Sequence, residues 1–455
     1  ISAQIAGKSS SVLLRAVQKN TSTGACEARL TGIQTLDFAF ECETPSSCKQ
    51  YNGARINGAG ISGNDSGSAV SYKSVSVDFG LNGTAAIDLA YSDAGQIKLH
   101  AEKTIVASGA DPEITLTGES NLFVVSPAGF CVAAPVGGAC GAPYHSCSGF
   151  KKAGEAFELK ISAVTWEADG ESNTGFCSGI HSVTPNFELS NAVLSHDLKG
   201  PTVLSGGTLG TLGVISTSFT SANNGEVTIA NQTVSETGAF DFTLDLSAVS
   251  YLGEPLQSST SEITGRFYPA YFSVTGNTPS VRNGQDRDPS PADSWSCGFT
   301  YQDQPFEYSI SPQLTVVAKN SSGATTNNYD GDYWKLNDLQ DQRSYIDNAF
   351  KGPTLTEDLT SANVIYDKGT GYDGSAVLMI EGDYFNYQKT NFTPAADDAA
   401  FSSDMNLELK QGDLTDATDG VCFQNDAASS CTPITRASSS RILGFTALSA
   451  CRRSN

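Results

Sequence analysis

Apolar and polar residues alternate in short runs along most of the chain, the period-two signature of half-buried β-strands. Residues 75–79 read Val-Ser-Val-Asp-Phe, and Phe240, Phe242, Leu244 and Leu246 take every second place of a later run. Further strands are predicted at 86–90, 114–116, 122–125, 157–166, 187–194, 314–318, 364–366 and 376–380. Turn pairs punctuate the first stretch at Asn52-Gly53, Asn57-Gly58 and Asn82-Gly83, residues that tolerate the left-handed backbone of a tight turn. Two places look alike. Asp93-Ala94-Gly95 turns into a strand with Ile97 and Leu99 on one face, and Glu236-Thr237-Gly238 turns into the strand of Phe240. Both resemble the corner before a late strand of an immunoglobulin-like sandwich. Helical pattern is scarce, with room only at 335–350 and 395–405, and residues 279–294 read as an exposed loop.

The chain also repeats itself. Residues 123–162 align without a gap on 272–311, at an offset of 149. Phe123 falls on Phe272, Val125 on Val274, Gly149 on Gly298 and Phe150 on Phe299. Phe157, Glu158, Ile161 and Ser162 fall on Phe306, Glu307, Ile310 and Ser311. A fixed-period match signals a duplicated structural unit. The expected fold class is therefore all-β, a tandem array of immunoglobulin-like β-sandwich domains over residues 1–108, 109–264 and 265–455, the last with a C-terminal tail. The shared phenylalanines are expected to fill hydrophobic interiors.

Composition narrows the function classes. Lys plus Arg number 27 against 49 Asp plus Glu, a net charge of −22, which disfavours nucleic acid and anionic membrane surfaces as partners. The most apolar long window, 121–143, is broken by Pro127, Pro135 and Pro143, so no membrane span is expected. Eleven cysteines point to an oxidising compartment. Cys131, Cys140, Cys147 and Cys177 admit three pairings, Cys422 and Cys431 are close enough to staple one loop, and Cys451 is the expected odd thiol. Ile1 opens without a charged start and apolar run, as in a processed or partial chain.

Catalytic and cofactor motifs are weak. Gly58-Ala59-Gly60-Ile61-Ser62-Gly63 matches the dinucleotide pattern, but Asn64-Asp65-Ser66-Gly67 follows where a helix should start. A zinc set of Cys131, Cys140, His145 and Cys147 lacks the C-x-x-C spacing of zinc fingers and ribbons. Asp330-Gly331-Asp332 could offer oxygens to calcium, although the full loop pattern is missing. Trp334 and Tyr384, in an aromatic-rich stretch, are the candidate ligand-binding surface. No catalytic or cofactor-binding residue is expected.

The text Thr264-Gly265-Arg266-Phe267-Tyr268-Pro269-Ala270-Tyr271-Phe272, with 299–306 and 325–329, resembles a bacterial family. That family is the uncharacterised C-terminal region of MshQ-like proteins, tied to biogenesis of the mannose-sensitive haemagglutinin type IV pilus. Residues 126–131, 153–157 and the 91–99 corner extend the resemblance over most of the chain. It implies a non-enzymatic surface protein exported by a Gram-negative bacterium, associated with pilus or filament subunits. Homo-oligomeric assembly and strand addition at exposed sheet edges are compatible expectations. The competing expectations are a carbohydrate-binding module recognising surface glycans, with calcium, and a secreted glycoside hydrolase with two carboxylates flanking a cleft.

Overall fold

The computed structural model describes residues 1–107, 112–171, 175–282, 300–301, 303–336, 344–347, 355–358, 363–367, 371–382, 384–388, 401–409, 415–431 and 434–443. The fold is all-β, as the alternation predicts. In both stretches with helical room the described residues hold strand, at Ser344–Asp347 and Phe401–Leu409; 337–343, 348–350 and 395–400 lie outside the described residues. Pairing with each other overrides their local pattern.

The first domain packs a seven-stranded sheet on a four-stranded one. Its long central strands, Gly32–Thr44 and Gly95–Ile105, pair antiparallel, and Phe38, Phe40, Ile56, Ile87 and Tyr91 fill the space between the sheets. Ile114–Glu119 and Phe123–Ser126 also pair with Gly95–Ile105. The first unit therefore runs to Ser126, past the boundary expected at 108. The second domain sets Gly129–Ala133, Phe157–Val164 and Glu226–Gln232 against a six-stranded sheet. Its closing strand, Thr264–Tyr268, pairs with Gly238–Asp245, so this unit runs to Tyr268. The described residues of the third domain form three four-stranded sheets, and Phe272, Phe306, Tyr329, Trp334 and Phe385 belong to its core.

The duplication is present, but in a different register. In the second domain Gly129–Ala133 pairs with Phe157–Val164, setting Phe130 opposite Ala163. In the third, Tyr271–Gly276 pairs with Gln313–Lys319, setting Phe272 opposite Ala318. Phe130, not Phe123, is thus the partner of Phe272, at an offset of 142 residues. The second strand of each pair is offset by 155, because the connections between strands differ in length. A gapless alignment at 149 falls between the two. Phe157 and Phe306 are both buried, in the cores of successive domains.

Candidate functional site at the domain junctions

The two corners noted in the sequence lie where one domain meets the next. Gly95 and Gly238 sit there at φ of 136° and 137°, a backbone region that side chains rarely enter. An added Cβ would also meet the carbonyl oxygens of Thr44 and Gly200 at 2.8 and 2.5 Å. These glycines let the chain turn so that the preceding acid faces the neighbouring domain.

At the first junction Asp93 is fully buried. Its Oδ1 accepts the N–H of Ala94 at 2.8 Å and, across the junction, the N–H of Asn186 at 2.9 Å. At the second, Glu236 Oε1 accepts the N–H groups of Thr237 and Asn328 at 2.9 and 3.0 Å, while Oε2 accepts that of Asn327 at 3.0 Å. The receiving turns correspond: Thr184-Pro185-Asn186-Phe187 in one domain, Thr326-Asn327-Asn328-Tyr329 in the next. Burial raises both carboxyls, Asp93 to about 6 and Glu236 to about 7, outweighing the N–H bonds that favour the ionised form. Oδ2 of Asp93 has no hydrogen-bond partner. Burial also raises Tyr91 and Tyr251, with the neighbouring Asp93 adding to both shifts.

A second contact repeats beside each corner. Ala6 and Ala153, both buried, accept across the junction from the N–H groups of Trp166 and Ser321 at 2.8 and 2.9 Å. Gly7 and Gly154 follow with φ of 81° and 82°, donating to Tyr91 and Val234 at 2.7 Å each. The linkers match as well, Ser126-Pro127-Ala128 and Tyr268-Pro269-Ala270. Proline narrows the freedom of each, and Ala128 and Ala270 donate to Val164 and Lys319 at 2.8 and 2.7 Å.

The second junction has further bonds. Asn328 bonds both the N–H and the C=O of Thr208 at 2.7 Å, and Asn320 donates to the carbonyl of Ser235 at 3.0 Å. Arg266, 1% exposed, makes two parallel 2.6 Å bonds to Asp419 and donates to the carbonyl of Cys147 at 3.0 Å. Asp419 lies in the turn between the paired strands Thr415–Asp416 and Val421–Cys422, just ahead of the Cys422–Cys431 disulfide, where Asp416 accepts from Tyr329 at 2.8 Å. Arg266 stood within the distinctive text of the sequence, but nothing local announced a partner 153 residues away. The corner acids were visible as turn residues. Their acceptor role was not, because it depends on backbone N–H groups of another domain.

The candidate residues read from the sequence fall elsewhere. Trp334 is 6% exposed, its ring centroid 5.0 Å from that of Tyr329 and its Nε1 donating to Leu336 at 3.1 Å. It belongs to the core, which corrects the expectation of a contact surface. Tyr384 is half-buried on the strand Tyr384–Tyr387, opposite Glu307 and Asp358. Asp330 caps a short turn through the N–H of Gly331 at 2.6 Å, whereas exposed Asp332 lies 3.9 Å from His145. Among the described residues no group of three or more His, Cys, Asp or Glu could hold a metal. Cys131 pairs with Cys177, Cys140 with Cys147 and Cys42 with Cys48, which also consumes the thiols of the imagined zinc set. Cys26 is a free, exposed thiol; Cys451 lies outside the described residues. The 58–63 glycine stretch runs into the strand Ser62–Asp65 rather than a helix.

Three family profiles match the chain in succession. They are the first Ig-like domain of DUF6701, a domain of unknown function, over residues 1–119; its second domain over 126–233; and its third over 236–438. No curated protein matches significantly. Among solved structures, the D0-D1 domain of intimin is similar at 12% identity and a TM-score of 0.15, covering 57% of this chain and 93% of that one. A putative membrane-anchored protein from Corynebacterium diphtheriae is similar at 10% identity and a TM-score of 0.18, covering 99% and 92%.

Proposed function

The chain belongs to the three-domain DUF6701 family with an Ig-like first domain, and from that premise we propose that it is a non-enzymatic, exported spacer of a bacterial surface or filament. The observation that carries this reading is the junction built twice: a buried corner carboxylate gripping the backbone of the next domain. Flexible linkage would leave neighbouring domains free to tumble. Here linker, corner and turn bond across both boundaries, so the spacer is stiff. Among the described residues four disulfides support an oxidising, extracytoplasmic setting. Among the described residues no helix is long and apolar enough to cross a membrane. Association with a type IV pilus of the mannose-sensitive haemagglutinin type is the specific form of this proposal.

Small-angle scattering of the intact protein tests the stiffness. One maximum dimension, constant from low to high salt, is the expected result. A profile requiring a broad ensemble of domain arrangements would remove the spacer reading.

A further inference from the structure

Ala16, Ala163 and Ala318 hold one place in the three domains. Their N–H groups donate to Gly83, Gly225 and Gly374 at 2.8 Å each. Their carbonyls accept from Arg29, Thr184 and Thr326 at 2.8, 2.9 and 3.0 Å. On the outer side of this place the second and third domains each have another strand, bringing Phe130 opposite Ala163 and Phe272 opposite Ala318. In the first domain the equivalent strand, Ser10–Arg15, ends its sheet. Among the described residues it pairs only with Thr84–Tyr91.

The aromatic filling is missing at the same spot. Phe130 meets Phe187 at 5.3 Å between ring centroids, and Phe272 meets Tyr329 at 5.5 Å. Phe187 and Tyr329 stand three residues beyond Thr184 and Thr326; three beyond Arg29 stands Gly32. In place of two rings there is a groove of about 570 Å³ lined by Leu14, Ala16, Val17, Leu30, Leu36 and Phe79. Leu13, on the open edge, is 54% exposed. Arg15, Arg29 and Lys103 also line the groove, against a single acid, Glu102, in a chain whose net charge is −22.

We propose that the outer edge of Ser10–Arg15 and this groove form a strand-acceptor site for an extended segment of another polypeptide. The segment runs antiparallel to the edge and seats a large aromatic side chain opposite Ala16. Unpaired edge groups supply main-chain bonds, and the groove supplies specificity. The cationic lining favours acidic or neutral flanks over basic ones. A second copy is a poor donor, because both strands of this kind in the chain, Gly129–Ala133 and Tyr271–Gly276, are already paired within their own domains. The inference rests on the three-domain reading for the equivalence of strands, not on stiff junctions, so scattering and the following experiment can fail independently.

A fluorescent peptide with the sequence of residues 268–276 is titrated with the intact protein, followed by fluorescence anisotropy. Saturable binding is expected, at least tenfold weaker for a peptide carrying Phe272→Ala. Amide exchange at Ser10–Arg15 should slow when the peptide saturates. Leu13→Pro, tolerable on an edge strand, should abolish binding without lowering the melting temperature; the peptide comparison and amide exchange stand even if that variant does not fold. Absence of saturable binding, or equal binding of both peptides, overturns the proposal. So does reversible self-association that Leu13→Pro removes, since the edge would then belong to a second copy.

Discussion

The two junctions share a corner and differ in what surrounds it. At the first, one oxygen of Asp93 does all the accepting and the other has no partner. Beyond the buried Ala6–Trp166 backbone bond, its side-chain contacts are peripheral, such as Lys49 reaching Asn224 and the exposed Lys8–Asp169 pair, of a kind that adds little stability. At the second, both oxygens of Glu236 are engaged and a buried arginine–carboxylate fork lies nearby. One architecture can thus be set to two stiffnesses. The corner specifies which domain surfaces meet, and reinforcement around it determines how firmly they hold.

The largest expected effect breaks the reinforced side. Arg266→Ala leaves Asp419 charged and buried, and should destabilise the second and third domains by about 3–5 kcal/mol, read as a lowered thermal transition with the first domain's transition unmoved. Removing the Cys422–Cys431 disulfide with paired serines frees the segment that follows the Thr415–Cys422 hairpin carrying Asp419. It should cost about 2–4 kcal/mol in the same transition.

Substituting the two corner acids sharpens the contrast. Glu236→Gln turns an amide NH₂ toward a backbone N–H whichever way it faces, and should cost about 1–3 kcal/mol. Asp93→Asn keeps the accepting oxygen and replaces only the partnerless one, so its melting temperature at pH 8 should equal or exceed the native value. The native pH profile follows from the raised carboxyls. Each holds its proton more tightly when folded, so its contribution is full below the unfolded value near 4 and is lost as pH rises through about 6 for Asp93 and about 7 for Glu236. Stability should therefore decline between pH 4 and 7 through these two groups, and Asp93→Asn should remove the lower part of that decline. Among the destabilising variants, the smallest expected cost is that of Gly154→Ala. Its positive φ should cost about 1–2 kcal/mol, with the new methyl 3.3 Å from Ser321.

Much of the architecture was legible because strand alternation and turn glycines are local signals. Asp93-Ala94-Gly95 and Glu236-Thr237-Gly238 were readable as matching corners, and Phe157 and Phe306 as core; Phe299 lies outside the described residues. The register of the repeat was not readable from ungapped identities, since the connections between paired strands differ in length. The aromatic cluster around Trp334 misled for a related reason: composition does not say which side of a sheet a ring faces. The bonds of the corner acids were hidden altogether, because their donors are backbone N–H groups that carry no residue-type signature.

Interdomain distance distributions, with one label in each domain of the intact protein, test the central claim most directly. Both junctions should give a single narrow peak, and Glu236→Ala should broaden the distance between the second and third domains while leaving that between the first and second unchanged. Broad distributions at both junctions of the native protein would contradict the account.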